Sequence, residues 1–219
     1  AAGVRGISLS EASALRDAGH GWPQRSVVLT FDDGYATVHE EAWPVLLQHG
    51  FRATVFLVSG HIGGVSDWGP PPARLGTQPV LTWEQVAEMS SHGIEMGAHT
   101  RTHPDLRPLS EAEIEREMIA SRGEIEQHLN QTVRSFAYPF GAINQLAMQV
   151  ATRHFRTAVT TVLRRATKEP AHALPRVDAY YVRRQGAFAR LLTGKLDPYL
   201  ALRRWGRATR GRLRSVRGW

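Results

Sequence analysis

Val27-Val28-Leu29-Thr30-Phe31-Asp32-Asp33-Gly34-Tyr35 reads VVLTFDDGY. An apolar run ends abruptly in two adjacent carboxylates and a glycine. Like charges side by side repel, and aspartate is depleted in strand interiors. The stretch therefore reads as a buried strand, Ser26–Phe31, that stops at the acids and turns at Gly34. Two solvated acids at a strand end would account for it. Strand geometry allows a sharper reading. Neighbouring side chains diverge, so one acid can ligate a metal while the other faces a reacting water. A bound cation also removes the repulsion, because it favours both carboxylates ionised.

Outward from this strand, helices and strands alternate. Ser8 with Glu11 caps a short helix to Ala18, and Val38–Gln48 is helical with Pro44 implying a kink or a late start. Ala53–Val58 is a second strand. The Gly- and Pro-rich stretch 59–81 is a long loop of the kind that is functional or disordered. Thr82 with Gln85 opens a helix to about Ser91, Ile94–Ala98 is a strand, and Ser110 with Glu113 opens a helix to about Leu129. Val133–Ala137 is a strand, 143–153 a helix, and Arg156–Thr160 and Leu174–Val177 two further strands. This alternation predicts an α/β fold with parallel strands, in which chemistry collects at the C-terminal edge of the sheet.

Composition narrows the function classes. The 219 residues suffice for one sizeable core. Cysteine is absent, which excludes disulfides, thiolate metal sites and a cysteine nucleophile. No apolar run has membrane-spanning length, and no signal peptide is recognisable. The net charge of +7 is uneven: residues 183–219 hold eleven Lys/Arg and one acid, whereas residues 1–182 hold sixteen bases and nineteen acids. The basic character belongs to a tail.

Three further clusters sit at predicted strand ends. His99 and His103 lie in GAHTRTHPDL at i, i+4 spacing. Gly97 and Pro104 argue against a long helix there, but a tight loop can converge the same two imidazoles. Two histidines and one aspartate make a three-ligand metal site with open positions, and Thr100 is placed to support it. RSFAYPFG, Arg134 to Gly141, reads as a strand leaving the core through an aromatic turn whose backbone N–H groups suit an oxyanion hole. In LPRVDAY, Arg176 and Asp178 read either as a surface ion pair or as a pair tuning the acid–base groups.

In this order and at these spacings, the motifs resemble the polysaccharide deacetylase, or NodB-homology, family. TFDDG matches its first motif and HTRTH its second. FAYPFG, GGVSDW and LTWEQVAEMSSHGIEMGAHT look like a subgroup with a Phe-Ala-Tyr-Pro-Tyr-Gly third motif. The resemblance covers most of residues 6–182. It implies a distorted (β/α) barrel of about seven parallel strands, its N-terminal strand lying upstream of Ala1 or missing. It divides the chain into a catalytic domain, 1–182, and a basic helical extension, 183–219.

The resemblance also implies an activity: hydrolysis of N-acetyl groups on N-acetylglucosamine-type polysaccharide or lipid-linked glycan. Asp33, His99 and His103 would hold a divalent metal, Zn²⁺ by preference, with Co²⁺ or Ni²⁺ as alternatives. Asp32 would be the general base and the Phe140 N–H an oxyanion donor. Trp68, Tyr138 and Phe140 would contact sugar, while Trp83, at a helix start, is expected to pack.

Two departures stand out. Ala137 occupies a place where many members carry Arg, and no histidine follows His172 to act as the family's C-terminal general acid. In the subgroup a Tyr-His pair on the upstream strand supplies a comparable histidine, and within the chain only His20 and His172 are stand-ins. This gap motivates the alternative of a weakly active or non-catalytic glycan-binding member of the fold. The tail reads as a helix split at Gly194 and Pro198 that packs on the barrel and ends in a solvated basic stretch. It could also meet anionic membrane or acidic polysaccharide. Only its charge speaks for nucleic acid. A cell-envelope setting is the expectation.

Overall fold

The computed structural model describes residues 3–69 and 76–216, with side chains as far as 206. The strands and α-helices among the described residues are, in chain order, β1 (Arg5–Ile7), α1 (Leu9–Leu15), β2 (Ser26–Val28), β3 (Thr30–Phe31), α2 (Trp43–Gln48), β4 (Thr54–Leu57), α3 (Trp83–Ser91), β5 (Glu95–Ala98), α4 (Glu111–Leu129), β6 (Ser135–Ala137), α5 (Gln145–His154), β7 (Thr157–Leu163), β8 (Leu174–Arg176), α6 (Ala187–Leu192) and α7 (Asp197–Val216). Strands β3 to β8 form one sheet in sequence order, every neighbour parallel, and β1 pairs parallel with β2. The predicted strand Ser26–Phe31 is interrupted at Leu29; counted once, it makes seven parallel strands with β1. The sheet curls into a half-barrel with helices outside.

Alternation along each strand builds two apolar layers. Val55, Leu57, Met96, Ala98, Phe136, Tyr138 and Ala158 point outward and pack with Val86, Met89, Ile114, Met118, Ile125 and Val150 of the surrounding helices. The intervening positions Phe56, Ala137, Val159 and Leu174 point into the barrel, with Leu9 and Val28. Gly97 sits opposite Phe56 in the register. A Cβ there would lie 2.6 Å from the Phe56 ring, so only glycine lets that ring fill the barrel.

Below this layer, α1 plugs the end at which the strands begin. The Glu95 carboxylate accepts hydrogen bonds from the Ser10 N–H at 2.9 Å, the Thr54 hydroxyl at 2.9 Å, and the hydroxyls of Ser10 and Ser135. The Leu9 N–H in turn donates to Thr54 Oγ1 at 2.9 Å. A carboxylate at a helix N-terminus answers both its free N–H groups and its dipole.

The sequence-based helices are present with their caps. Ser8 accepts from Glu11 N, and the reciprocal boxes Thr82/Gln85 and Ser110/Glu113 both form. Pro44 has the effect expected of it: residues Val38–Ala42 make a π-helical turn, and the α-helix starts only at Trp43. Strand β1 was not anticipated, because three residues including a glycine carry no periodic signal. The long loop is less irregular than its composition implies. Val65 bridges Pro79 and Tyr35 bridges Val80, both antiparallel. Its segment 70–75, and residues 217–219 of the predicted tail, lie outside the described residues.

Candidate functional site

At the C-terminal edge of the sheet the inward rows end in charge. Thr30 and Asp32 continue the inward row of Val28, His99 continues that of Glu95 and Gly97, and Arg176 continues that of Leu174. By alternation Asp33 should face away. It does not, because its backbone is left-handed (φ 71°) and Gly34 follows at φ 68°, so the chain reverses and both acids stay at the barrel mouth.

Asp33 Oδ1 lies 3.4 Å from His99 Nε2 and 3.3 Å from His103 Nε2. The three donor atoms fall within 4.8 Å of one another. His99 Nδ1 is 2.7 Å from the Ala137 carbonyl. A carbonyl can only accept, so Nδ1 carries a hydrogen and Nε2 is the nitrogen turned to the site. Burial holds His103 below the ordinary imidazole range despite the pull of Asp33, which favours a neutral ring with a lone pair. Burial alone would raise Asp33; the two imidazoles beside it outweigh that and hold it well below the usual carboxylate range. Two imidazole nitrogens and one carboxylate oxygen are the donor chemistry of a divalent transition-metal site with open positions.

The turn that brings His103 back to His99 is braced from two sides. Thr100 (φ 66°) donates its hydroxyl to the His99 carbonyl and accepts from the His103 N–H at 3.0 Å. From α4, Glu117 accepts the N–H groups of Arg101 and Thr102, both at 2.9 Å, and the Thr102 hydroxyl at 2.8 Å. His103 itself has φ 59°.

Asp32 is gripped by Arg176. Nη1 reaches Asp32 Oδ1 at 2.6 Å and Nη2 reaches Oδ2 at 2.7 Å. Nη1 also meets Thr30 Oγ1 at 3.0 Å, and Nε donates to the Thr160 carbonyl at 3.0 Å. Among the described residues β3 and β8 share no backbone ladder, so this fork joins the two edges of the half-barrel. Burial raises the Asp32 carboxyl, but the guanidinium more than offsets it and keeps the carboxylate ionised.

Aromatic rings wall the mouth. The Trp68 ring lies 5.3 Å from that of His103, and Phe140 lies 4.6 Å from it, edge to face. Phe140 is 62% exposed with a left-handed backbone (φ 59°), and a Cβ on the following Gly141 would collide with Thr161 at 2.1 Å. Tyr35 stacks with Trp68, and its hydroxyl is pushed up to about 12 by burial and by the charge of Asp33. Of the six described non-glycine residues with left-handed φ, four are Asp33, Thr100, His103 and Phe140. Backbone strain concentrated in this way is a feature of functional sites.

Several expectations are corrected. Tyr138 cannot stack on a sugar: alternation turns it outward into the core, fully buried, with its hydroxyl donated to the His172 carbonyl at 2.9 Å. Arg176 pairs with Asp32 and not with Asp178, which is exposed and caps the turn Ala179–Tyr181 through Tyr180 N. Neither stand-in histidine reaches the mouth. His20 ends the turn after α1, and His172 lies before β8 with Nε2 2.8 Å from the Phe155 carbonyl. Trp83 packs, stacked on His128 at 3.7 Å.

Other residues were missed. Glu117 lies mid-helix and carries no motif. Tyr35 directly follows the acid–glycine turn, the one signal that pointed to it. His61 sits in the Gly-rich loop, its Nδ1 3.0 Å from Asp67 and its ring 4.8 Å from Trp68.

Comparison with known proteins bears on this arrangement. The chain is 29% identical to YxkH of Bacillus subtilis (strain 168) over 177 residues, 80% of this chain and 59% of that protein. It is 26% identical to a poly-beta-1,6-N-acetyl-D-glucosamine N-deacetylase of Staphylococcus aureus (strain MSSA476) over 132 residues, 56% of this chain and 43% of that protein. It thus spans about half the length of these relatives. The fold superposes on a Streptococcus pyogenes deacetylase, PplD, solved in complex with acetate, with a TM-score of 0.70 at 28% identity, covering 80% of this chain and 74% of that one. The polysaccharide deacetylase profile matches residues 20–159, a segment that holds Asp32, Asp33, His99 and His103, and the chain belongs to that family.

Proposed function

We propose that this chain is a metal-dependent N-deacetylase acting on N-acetylglucosamine-type polysaccharide or lipid-linked glycan at the cell envelope. One observation carries the reading: His99 Nε2 and His103 Nε2 converge on the same oxygen of Asp33, with the ionised Asp32 beside them. The residues fit a divalent cation of the zinc type, held by Asp33, His99 and His103. Bound there, the cation supplies positive charge that eases ionisation of a water and polarises an acetyl carbonyl.

The remaining work falls to the chain. Asp32, oriented by Arg176, takes the proton of the attacking water. The water oxygen bonds to the acetyl carbon, and the carbon–nitrogen bond then breaks. The proton held by Asp32 is available to the departing amine, so acetate and a free amino sugar result. The Phe140 N–H, on its strained turn, is the proposed donor to the developing oxyanion. Trp68 and Phe140 exclude water and offer ring faces to the sugar. The relative that acts on poly-β-1,6-N-acetylglucosamine supports the choice of substrate class.

The test is acetate release from an N-acetylglucosamine oligomer, with bound divalent ion measured in parallel. Asp32→Asn is expected to keep the ion and lose on the order of 10²–10⁴ in rate. An unchanged rate in that variant would overturn the assignment of Asp32. A second reading, a glycan-binding member with little turnover, is favoured by the distance of His20 and His172 from the mouth. Bound ion with no acetate release from any acetylated glycan would establish it.

A further inference from the structure

We propose that α7 is a docking helix for an anionic lipid surface, set beside the mouth of the site. Its first turn is anchored. Leu196 and Leu200 are buried with Leu163, the last residue of β7, and Arg165 forks onto Asp197, Nε to Oδ1 at 2.8 Å. Leu163 lies at the same edge of the sheet as His99 and Arg176, so the helix leaves the barrel at the end that carries the site.

Beyond this anchor the helix changes character. Leu202 is 64% exposed and Trp205 is 68% exposed. Leu202, Trp205, Thr209, Leu213 and Val216 follow at steps of three and four, one stripe of a 3.6-residue helix. Arg203, Arg207, Arg210 and Arg214 follow at steps of four, three and four, a separate basic stripe. The buried Leu196 and Leu200 lie on the side of the helix that the basic stripe continues, with Arg203 over Tyr181, so the apolar stripe is not the face that packs on the barrel.

Neighbouring groups extend the same surface. Tyr180 and Tyr199 are exposed, Arg183 lies over the Tyr180 ring at 4.0 Å, and Arg203 lies over Tyr181 at 5.7 Å. An apolar stripe with Trp, flanked by arginines and aromatic rings, matches the boundary between headgroups and acyl chains. Charge complementarity selects an acidic surface, since residues 183–219 carry a net +10 on a body that carries −3. A polyanion such as DNA or an acidic polysaccharide would engage the arginines but leave Leu202 and Trp205 without use. No helix among the described residues is long and apolar enough to cross a membrane, so α7 would lie on the surface.

The experiment is co-sedimentation of the full chain with phosphatidylcholine vesicles and with phosphatidylcholine–phosphatidylglycerol vesicles. Binding is expected on the anionic vesicles and to weaken steeply with salt. Arg207→Ser/Arg210→Ser/Arg214→Ser is expected to weaken partition roughly 100-fold. Leu202→Ala/Trp205→Ala is expected to weaken it on the order of 10-fold or more. Acetate release from a soluble oligomer should not change in either variant. Absence of binding, equal binding to neutral vesicles, or wild-type partition by either variant would overturn the proposal. So would stronger binding to DNA or an acidic polysaccharide that ignores Leu202→Ala/Trp205→Ala. The salt titration needs only wild-type protein and is decisive even if a variant misfolds.

Discussion

The two ends of the barrel are built from the same inward rows of side chains, yet they treat a carboxylate in opposite ways. At the end where strands begin, Glu95 accepts four hydrogen bonds from α1, β4 and β6. Its demand is met by four donors that are themselves knit together through Thr54 and the two serines, and the result is a seal. At the end where strands finish, Asp33 has two imidazoles at 3.3 and 3.4 Å, longer than good hydrogen bonds. Four left-handed residues hold that arrangement open. The difference teaches how to tell structural polarity from chemical polarity. Saturated polar groups on relaxed backbone close a fold, whereas unsaturated lone pairs converging on strained backbone await a partner.

The largest expected effect falls on the unsaturated end. Asp33→Ala or His103→Ala should abolish stoichiometric divalent-ion binding and lower acetate release by about 10³ or more, the several kcal/mol of charge stabilisation that a cation supplies. Metal analysis and an acetate assay check this together. Full ion occupancy in both variants would remove the distinction between the two ends. Arg176→Met comes next. It strands the Asp32 carboxylate in a half-buried site, where burial alone raises its pKa. The rate should fall on the order of 10²-fold or more, with stability also reduced by a few kcal/mol. Arg176→Lys should recover only part of either, because an ammonium cannot reproduce the fork.

A smaller effect probes the bracing of the mouth. Glu117 touches no ligand side chain; it pins the backbone of Arg101 and Thr102 inside the turn that carries His103. Glu117→Gln should weaken ion affinity roughly 10-fold while leaving kcat at saturating ion nearly intact. Isothermal titration separates the two quantities. A fall in kcat with unchanged affinity would mean that Glu117 acts on something other than the turn.

Much of this was legible in the sequence, for identifiable reasons. Local signals survived intact: the caps at Ser8, Thr82 and Ser110 and the break at Pro44 depend on a few neighbouring residues. The acid pair and the HxxxH spacing could be read because strand ends bring them together whatever the helices do. What failed was parity. Tyr138 and Ala137 are adjacent, and only the register of β6 decides which one enters the barrel. The same ignorance paired Arg176 with Asp178, two residues on, when the curl of the sheet delivers Asp32 from 144 residues away. Glu117 was invisible because a glutamate on a helix surface is ordinary until a loop from elsewhere lands on it.

The Glu95 end provides the counter-test, with the smallest consequence for chemistry. Glutamine replaces one carboxylate oxygen with an amide donor. Oε1 of Glu95 receives only hydroxyls, from Ser10 and Ser135, and hydroxyls can rotate to accept. Oε2 receives the Ser10 N–H, which cannot reverse, and the Thr54 hydroxyl. Glu95→Gln can therefore place its amide toward the serines and its oxygen toward Ser10 N, at a cost of about 1 kcal/mol. Glu95→Ala leaves the same donors without an acceptor and should cost about 2–3 kcal/mol. For a domain of this size that is a fall of roughly 4–12 °C in melting temperature, against about 2–4 °C for the glutamine. Ion affinity should not move in either variant. If Glu95→Gln proved as costly as Glu95→Ala, the carboxylate's charge at the α1 N-terminus, rather than its acceptor geometry, would be what seals the barrel.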